Sequence, residues 1–378
     1  MVILLIISYV SQTRCQDMRE ERRLHSSKSM SNKELKEVAL LTDDAYFRSA
    51  LDRILVPRVV GTPSHGNVRK FIVGEFQKLG WTVELDEFRA MTPTHGALDF
   101  ANIIARFDPN PARELVLACH YDSKYFREFE FVGATDSAVP CAMLLHLAKV
   151  LTPYLKNQKV GLVMIFFDGE EAFYEWSAND SIYGARNLAA KWERQSFNRN
   201  GLLTNELERI DMIVLLDLIG VRDQQFFSFF RDTQRWHSLL AKIEGKLKAL
   251  SIISPDETRH FLEKSSFSFI DDDHKPFLNR QVPILHVIPA RFPKQWHTAA
   301  DNYQALDFRS IDTMNKIFQV FVYAYMHGSL QYSLFFSSSG GQPNVSSKCK
   351  MAYLDNIILL LPFIMFFLKT WNVNAELW

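Results

Sequence analysis

Residues 160–171 have the sequence VGLVMIFFDGEE, and this stretch decides the fold. Its apolar part, Val160–Phe167, is short and rich in β-branched and aromatic side chains, and Asp168-Gly169 closes it, which predicts a buried strand. Two adjacent acids, Glu170 and Glu171, follow at once. Because like charges raise each other's pKa, a metal ion that binds one carboxylate and leaves the other free as a base would resolve the conflict. Taken alone, the motif is equally consistent with a solvated loop.

Length and composition describe a chain with a large core and no strong charge. The 378 residues are 47% apolar, which permits between one and three domains. The formal net charge is zero and no basic stripe stands out, so nucleic acid is not an expected partner. Phenylalanine occurs 30 times, which suits a packed core and an aromatic-lined pocket.

Strand-like and helix-like segments alternate along the chain. Short runs of β-branched and aromatic residues predict strands at 81–88, 100–107, 115–120, 161–167, 212–218 and 283–288. Apolar residues at helical spacing predict helices at 31–55, 66–79, 138–151, 183–192, 234–250 and 310–325. Ser31, followed by Glu34, is predicted to cap the first helix, and Gly80 to end the second. Interleaved strands and helices predict a single-domain, three-layer α/β/α fold with a mostly parallel central sheet.

We expect one folded domain at 31–328, because no linker interrupts the pattern there. Residues 1–15 begin with an apolar run too short to span a bilayer and are interpreted as a signal peptide, followed by a polar, mobile leader at 16–30. The segment 329–378 combines a linker-like stretch with an apolar run shorter than the ~20 residues of a spanning helix. The role of this tail, including lipid anchoring and membrane association, stays open.

Cysteines and glycosylation motifs favour the secretory pathway. In an oxidising compartment Cys119 and Cys141 would form a disulfide between a strand end and the following helix, and otherwise they would be two buried thiols. Asn179-Asp-Ser181 and Asn344-Val-Ser346 match the acceptor motif for N-linked glycans. Together with the signal peptide, these features predict a glycoprotein that is secreted or resides in the secretory-pathway lumen.

Polar residues that suit a metal site follow most of the predicted strands. They are His120, Asp122, Asp136, Glu170, Glu171, Asp217, His286 and His297. A lone histidine beside an apolar run is more often a core residue, so the argument rests on convergence. Ligands of open parallel sheets bind beyond the carboxyl ends of the strands, which predicts that these side chains meet at one edge. Imidazole and carboxylate ligands with an open position suit zinc.

The order His-x-Asp…Asp…Glu-Glu…Asp…His resembles the zinc aminopeptidase superfamily, and within it the glutaminyl-peptide cyclotransferase (glutaminyl cyclase) family. The resemblance covers residues 31–328. Its motifs are ACHYDSK (118–124), GATDSAVPC (133–141), FFDGEEAF (166–173), LLDLIG (215–220), DDH (272–274) and PARFPKQWHT (289–298). The resemblance implies a zinc exopeptidase-like fold and an enzyme that converts the N-terminal glutamine of peptides and proteins to pyroglutamate with release of ammonia.

The resemblance also implies a role for individual residues. One zinc ion per chain would be held by Asp136, Glu171 and His297, and Glu170 would be the general acid/base. Asp217 and Asp272 would form a hydrogen-bonded acidic network beside it; Trp176, Phe292 and Trp296 would line the glutaminyl pocket; and Cys119 and Cys141 match the family's disulfide pair. Asp271 departs from the family, which more often has an amide there, and its effect on the charge of the pocket stays open.

Cyclisation suits such a site because the substrate supplies its own nucleophile. The α-amine attacks the γ-carboxamide carbonyl, zinc polarises that carbonyl, and a carboxylate moves the proton to the departing ammonia. A tight aromatic pocket folds the flexible side chain and keeps water out. We expect a monomer with peptide and protein substrates.

Two other functions are consistent with parts of the sequence. A two-zinc aminopeptidase would use the ligand set His120, Asp136, Glu171, Asp217 and His297, all of which are present. The Trp296-His297 pair and the loop at 272–274 favour the cyclase pattern instead. A non-catalytic binding module on the same scaffold predicts the loss of a ligand or of the base, and none is lost.

Overall fold

The computed structural model describes residues 18–199, 202–266 and 268–331. Within them the strands are β1 (His25–Ser26), β2 (Thr82–Thr92), β3 (Gly96–Arg106), β4 (Arg113–His120), β5 (Val160–Phe167), β6 (Ser196–Arg199), β7 (Leu202–Asn205), β8 (Ile210–Leu216), β9 (Phe226–Ser228), β10 (Phe261–Ser265), β11 (Ile284–Val287) and β12 (Ser329–Leu330). The helices are α1 (Asn32–Ala39), α2 (Asp44–Ile54), α3 (Pro63–Lys78), α4 (Val139–Leu151), α5 (Tyr183–Arg194), α6 (Gln234–Ala249), α7 (Lys275–Leu278) and α8 (Phe308–Met326).

A six-stranded mixed sheet forms the centre of the fold, in the order β11-β8-β4-β5-β3-β2. Neighbours from β11 to β5 are parallel, whereas β3 pairs antiparallel with β5 and β2 antiparallel with β3. In this register His120 lies opposite Phe167, and His286 opposite Leu215. The carboxyl ends of the parallel strands therefore meet at one edge, from which the loops with the chemically suited residues leave.

Helices cover both faces of the sheet, as the three-layer prediction requires. Alternate strand residues point to opposite faces, so Leu117 and Cys119 pack with one cluster that includes α1 to α4, α6 and α8. Val116 and Ala118 pack with the other cluster, which contains α5 and Phe277 of α7. The α/β fold class is confirmed.

The first predicted helix is two helices. Ser31 caps α1, since its Oγ accepts a hydrogen bond from the backbone N–H of Glu34 at 3.2 Å. The helix then breaks, and the carboxylate of Asp43 caps α2 by accepting from the backbone N–H of Tyr46 at 3.0 Å. The apolar spacing continues across this break, which is why periodicity alone predicts a single helix.

The described part of the predicted leader is packed against the domain. Residues 18–24 are helical, and β1 pairs antiparallel with β12, so His25 lies opposite Leu330. The His25 ring is buried between Trp236 and Tyr325, at centroid distances of 6.0 and 4.4 Å. The prediction of a mobile leader is wrong for residues 18–30, because a long-range strand pair that no local pattern reveals holds them in place.

Two further pairs of short strands, outside the central sheet, were not predicted from the sequence. The strands β6 and β7 form an antiparallel hairpin, and β9 pairs parallel with β10. The predicted signal peptide at 1–15, the segment from 332 to 378 and the glycosylation motif at Asn344 lie outside the described residues. Among the residues described, no helix has the length and apolar character needed to cross a membrane.

Candidate active site

The turn after β5 presents Glu170 and Glu171 to the edge of the sheet. Gly169 has a φ of +66°, and a Cβ at this position would lie 2.4 Å from a ring atom of Phe100, so the turn requires glycine. The buried carboxylate of Asp122 accepts hydrogen bonds from the backbone N–H groups of Glu170 and Glu171, at 3.1 and 3.2 Å. This double contact fixes the backbone from which both side chains extend.

Asp136, Glu171 and His297 meet in one group of three potential metal ligands. One atom from each residue lies within 4.8 Å of the other two. His297 Nε2 is 3.4 Å from Asp136 Oδ2 and 3.3 Å from Glu171 Oε1. Both carboxylate oxygens are buried and have no hydrogen-bond partner among the described residues. Two orphaned buried carboxylate oxygens facing an imidazole are a donor set that suits a divalent cation such as zinc.

Electrostatics in this group reflect close charge pairing. Burial alone would lower the pKa of His297, but contacts with the carboxylates of Asp136 and Glu171 outweigh it and raise the pKa to about 9. Burial alone would raise the pKa of Asp136, yet His120 and His297 hold it well below its usual range.

A fixed turn positions Asp136. The peptide bond between Asp136 and Ser137 is cis. The fully buried guanidinium of Arg58 donates to the carbonyl oxygens of Gly133 and Asp136 at 3.1 and 3.2 Å. On the other side, the Asp301 carboxylate accepts from the backbone N–H of Thr135 at 2.9 Å. The backbone on both sides of the candidate ligand is therefore held by buried charged groups.

A second group of potential ligands shares Asp136. His120, Asp136 and Asp217 also bring ligand atoms within 4.8 Å of one another. Here the partners are already engaged: His120 Nε2 lies 3.0 Å from Asp136 Oδ1, and Ser137 Oγ donates to Asp217 Oδ1 at 3.0 Å. Burial opposes protonation of His120, but contacts with Asp122, Asp136 and Asp217 raise its pKa well above the usual value.

Glu170 is the free acid of the site. Its carboxyl group makes no hydrogen bond to any described residue, although the side chain is only 6% exposed. Burial raises its pKa well above the usual value, and the negative charges of Glu171 and Asp272 add to this effect. A buried carboxyl group with a raised pKa and no protein partner is suited to exchanging protons with a ligand.

Asp217 and Asp272 are oriented separately. No hydrogen bond joins them to each other or to Glu170 within the described residues, and the hydrogen-bonded acidic network stays a prediction. Ser137 holds Asp217, and His286 Nε2 donates to Asp272 Oδ2 at 2.7 Å. Burial lowers the pKa of His286 to about 4, which keeps the imidazole neutral at pH 7. Burial also raises the pKa of both Asp217 and Asp272.

One cavity of about 700 Å³ unites the nine residues predicted for catalysis, metal binding and substrate binding. They are Asp136, Glu170, Glu171, Trp176, Asp217, Asp272, Phe292, Trp296 and His297. Trp296 stacks on His297 with ring centroids 4.0 Å apart, and Phe292 meets Trp296 edge-on at 4.9 Å. Trp176 and Trp296 are each 39% exposed, so both indoles present a face to the cavity.

Some residues of the site were missed or only partly interpreted from the sequence. Lys124 Nζ lies 3.4 Å from Glu171 Oε2 and donates to the carbonyl oxygen of Ala172 at 3.0 Å. Tyr174 and Phe269 line the cavity mouth and are highly exposed. The motif at 118–124 pointed to Asp122 and Lys124 without indicating their roles, whereas nothing in the sequence pointed to the loop around Phe269.

The two cysteines lie side by side as thiols. Their sulfur atoms are 3.3 Å apart, and Cys141 Sγ donates to the carbonyl oxygen of His120 at 3.1 Å. A disulfide requires an S–S distance near 2.05 Å. The Cys119–Cys141 disulfide therefore stays a prediction.

Known proteins with similar sequences and structures identify the family. The model of peptidase family M28 matches residues 102–322, a range that includes all nine predicted site residues. The glutaminyl-peptide cyclotransferase of Drosophila melanogaster is 46% identical over 315 residues, which cover 80% of this chain and 86% of that protein. The chain belongs to the glutaminyl-peptide cyclotransferase family.

Other members of this cyclotransferase family agree in sequence and in structure. The glutaminyl-peptide cyclotransferase of Bos taurus is 42% identical over 327 residues, covering 82% of this chain and 90% of that protein. The crystal structure of Macrostomum lignano glutaminyl cyclase superposes with a TM-score of 0.74 at 36% identity, covering 80% of this chain and 95% of that one. The resemblance seen in the sequence motifs is confirmed, and with it a zinc exopeptidase-like fold and an enzyme of the transferase class.

Proposed function

We propose that this enzyme converts the N-terminal glutamine of peptides and proteins to pyroglutamate and releases ammonia. The observation that carries the proposal is the cavity itself. It combines a three-ligand metal group, an acid without a protein partner and an aromatic wall. Each part answers one need of cyclisation: a polarised carbonyl, a proton carrier and a folded glutaminyl side chain.

We propose that Asp136, Glu171 and His297 hold one zinc ion per chain. The support is the pair of orphaned oxygens, Asp136 Oδ2 and Glu171 Oε1, which face His297 Nε2. When bound, zinc supplies Lewis acidity that polarises the substrate's γ-carbonyl and offsets the charge that develops on its oxygen. Three protein ligands leave the open position that a catalytic site needs.

Glu170 would carry the proton. The substrate's α-nitrogen forms a bond to its own γ-carbonyl carbon, and the bond from that carbon to the amide nitrogen breaks. Glu170 takes a proton from the α-amine and returns it to the amide nitrogen, which leaves as ammonia. The raised pKa and the missing protein partner of Glu170 support this role, because an acid/base works best near the operating pH.

Asp217 and Asp272 would receive the polar end of the substrate. Both carboxyl groups line the cavity, and Ser137 and His286 fix their orientation. Carboxylate oxygens at this place offer hydrogen-bond acceptors to the substrate's amine and to the departing ammonia. The negative charge of Asp272 also raises the pKa of Glu170.

Trp176, Phe292 and Trp296 would shape the glutaminyl side chain. Cyclisation needs this flexible side chain to fold back on its own amine, and an apolar wall favours the compact conformer and excludes water. The contact between Phe292 and Trp296, and the stacking of Trp296 on His297, place that wall next to the proposed metal ligands.

The test measures product formation and zinc content on the same protein. The purified, zinc-loaded protein is incubated with a Gln-initiated peptide and with the same peptide acetylated at its N-terminus. We expect pyroglutamate and ammonia in equal amounts from the first peptide, no product from the second, which lacks a free amine, and one zinc per chain. Release of free glutamine without pyroglutamate, from a protein holding two zinc ions, would contradict the proposal.

That contrary result would support a second candidate, a two-metal aminopeptidase. The specific observation in its favour is that His120 and Asp217 form a group of potential ligands with Asp136. Against it, His120 and Asp217 are engaged with hydrogen-bond partners, whereas the orphaned oxygens belong to the first group.

We also propose that the protein acts as a monomer in the secretory pathway, with a Cys119–Cys141 disulfide and a glycan on Asn179. The supporting observations are the 3.3 Å separation of the two sulfur atoms and the exposure of Asn179 in a loop. Mass spectrometry of the non-reduced protein from its native source tests both modifications. Two free thiols and an unmodified Asn179 would point to another compartment.

A further inference from the structure

A second cavity of about 480 Å³ adjoins the active-site cavity and has no part in the chemistry described so far. The two cavities share Trp176 and Asp271, which line both of them. Beyond these shared residues the second cavity, here called the side groove, continues along the surface between α5 and α7. The two cavities are therefore neighbours, and Trp176 and Asp271 lie at their boundary.

The side groove is lined by more positive than negative charge. Its lining includes the cations Arg186, Lys275 and Arg280 and one acid, Asp271. Lys275 Nζ pairs with Asp271 Oδ2 at 2.5 Å, and Arg280 Nε pairs with the carboxylate of Glu193 at 2.9 Å. Each pair is at least partly exposed, so solvent and competing anions reach it.

Arg186 has no such partner. Its guanidinium donates to the carbonyl oxygens of Ser181 and Asn179, at 3.1 and 3.4 Å, and no described carboxylate lies within 4.0 Å of it. The Asp180 carboxylate is in the vicinity, but it already accepts hydrogen bonds from three backbone N–H groups and from the Tyr183 hydroxyl. The guanidinium also lies over the ring of Tyr183, 4.9 Å from its centroid. A half-buried cation with only carbonyl and aromatic partners retains its attraction for an anion.

The length of an extended peptide indicates which part of the substrate would reach the side groove. If the N-terminal glutamine occupies the active-site cavity, the rest of an extended peptide must leave through its mouth. Each residue advances the chain by about 3.3 Å, and successive side chains point to opposite sides. The second or third residue of the substrate therefore reaches the segment lined by Trp176 and Asp271, where the side groove begins.

We propose that the side groove binds the residues that follow the N-terminal glutamine and favours an acidic side chain at the second or third position. The inference rests on the proposed function and adds a substrate preference to it. Arg186 and Lys275 attract the acid, and Asp271 limits that attraction because it neutralises Lys275. Asp271 forms an ion pair with Lys275 at a place where an uncharged side chain would leave the lysine free.

Matched peptides test the preference. Cyclisation is measured at low ionic strength for Gln-Glu-Ala-Ala-amide, Gln-Gln-Ala-Ala-amide and Gln-Lys-Ala-Ala-amide, and for a second series with the same changes at the third position. We expect kcat/KM to fall in the order Glu, Gln, Lys in at least one series, by about 2- to 5-fold per step, the effect of one exposed ion pair. Added salt should reduce the differences.

Substitutions in the side groove test which residues cause the preference for an acidic side chain. Lys275→Met keeps the apolar stem and should lower the ratio of kcat/KM between the Glu and Lys peptides by about 2- to 5-fold, whereas Asp271→Asn should raise it by a similar factor. Lys33→Met is the matched control, because Lys33 also pairs with an acid four residues away, Glu37 at 3.9 Å, on a helix that lines neither cavity. Circular dichroism establishes that each variant folds, and Asp271→Asn carries the test if Lys275→Met does not.

Equal kcat/KM values for all peptides, or a ratio that neither variant changes, overturn the side-groove proposal and leave the proposed function intact. A change of the same size in Lys33→Met also overturns it, because the effect would then be one of net charge. If the wild-type protein cyclises none of the peptides, the proposed function itself fails. The two failures are therefore distinguishable.

Discussion

Glu170 and Glu171 are neighbours in sequence, yet their carboxylates have different surroundings. Glu171 Oε1 lies 3.3 Å from His297 Nε2, and Glu171 Oε2 lies 3.4 Å from Lys124 Nζ. Glu170 has no hydrogen-bond partner among the described residues, and burial raises its pKa. Because Asp122 holds both backbone amides, the two side chains leave a fixed turn in different directions. These different surroundings support the proposal that Glu171 binds the metal and Glu170 transfers the proton.

A pair of isosteric substitutions separates these two roles. Glu170→Gln preserves the shape of the side chain but removes its proton acceptor, so we expect zinc to remain bound while kcat falls by about 10²- to 10⁴-fold. Glu171→Gln, the matched control, should lose zinc as well as activity. Zinc content and pyroglutamate formation are measured on the same samples. Near-normal turnover in Glu170→Gln would assign the proton transfer to another residue.

Trp296 tests the aromatic wall. Trp296→Ala removes the indole that stacks on His297, which loosens the folded geometry of the glutaminyl side chain, and small misplacements of reacting groups cost about 10²-fold in rate. We expect that loss in kcat/KM with unchanged zinc content, and partial recovery in Trp296→Phe, which restores a ring. A fully active, zinc-loaded Trp296→Ala protein would place the glutaminyl pocket elsewhere.

At the scale of elements, α2 and α4 are joined by a buried histidine. The carboxylate of Asp43 caps α2, and the backbone N–H of the same residue donates to His146 Nε2 of α4 at 2.9 Å. Burial lowers the pKa of His146 to about 4, although the negative charge of Asp43 opposes this effect. The imidazole can accept that hydrogen bond only in its neutral form.

This histidine makes stability depend on pH. Its pKa is about 4 in the folded protein and near 6.5 in the unfolded chain, so the unfolded chain binds more protons between these values. The free energy of unfolding should therefore fall as the pH falls from 6.5 to 4, by roughly 2 to 3 kcal/mol from this group. In His146→Gln, whose side-chain oxygen can still accept from Asp43, that part of the fall should be absent. Denaturant unfolding of both proteins at several pH values checks this, and parallel curves would refute it.

At the scale of the whole molecule, the two ends of the described chain close on each other. β1 pairs with β12, and Arg22 and Arg23 offer their carbonyl oxygens to the guanidinium of Arg235. Met18 and His25 are buried. The folded unit therefore begins before residue 31, where the sequence pattern placed the start of the domain.

Truncation of residues 18–30 measures how much the contacts between the two ends contribute to stability. A chain that begins at Ser31 loses the buried Met18 and His25 and the pairing partner of β12. We expect its free energy of unfolding to fall by roughly 2 to 4 kcal/mol, since burying one large apolar side chain alone contributes about 1.5 to 3 kcal/mol. A chain that begins at Met18 is the control and should keep full stability. If both chains unfold at the same denaturant concentration, residues 18–30 add nothing to the fold.

The sequence by itself determined the six strands of the central sheet, most of the helices, the fold class and the family. Strands such as Val160–Phe167 and caps such as Ser31 are local: the pattern that forms them lies within a few residues, so it can be read without the fold. The metal and aromatic candidates were named from the sequence because its motifs resemble those of the cyclotransferase family. Together with the three acids Glu170, Asp217 and Asp272 they are nine residues, and all nine line one cavity. The carboxyl ends of parallel strands share an edge, which brings the loops that follow those strands together.

Only the tertiary structure decided what depends on contacts between distant segments. The Asp122 carboxylate accepts hydrogen bonds from the backbone of both glutamates. Ser137 orients Asp217, and His286 orients Asp272. The strand β1 pairs with β12. The tertiary structure also placed Arg186 of α5 beside Lys275 of α7 in the side groove. Such contacts follow from packing and chain closure across many residues. No local spacing encodes them, because the same residues would satisfy the same pattern with other partners.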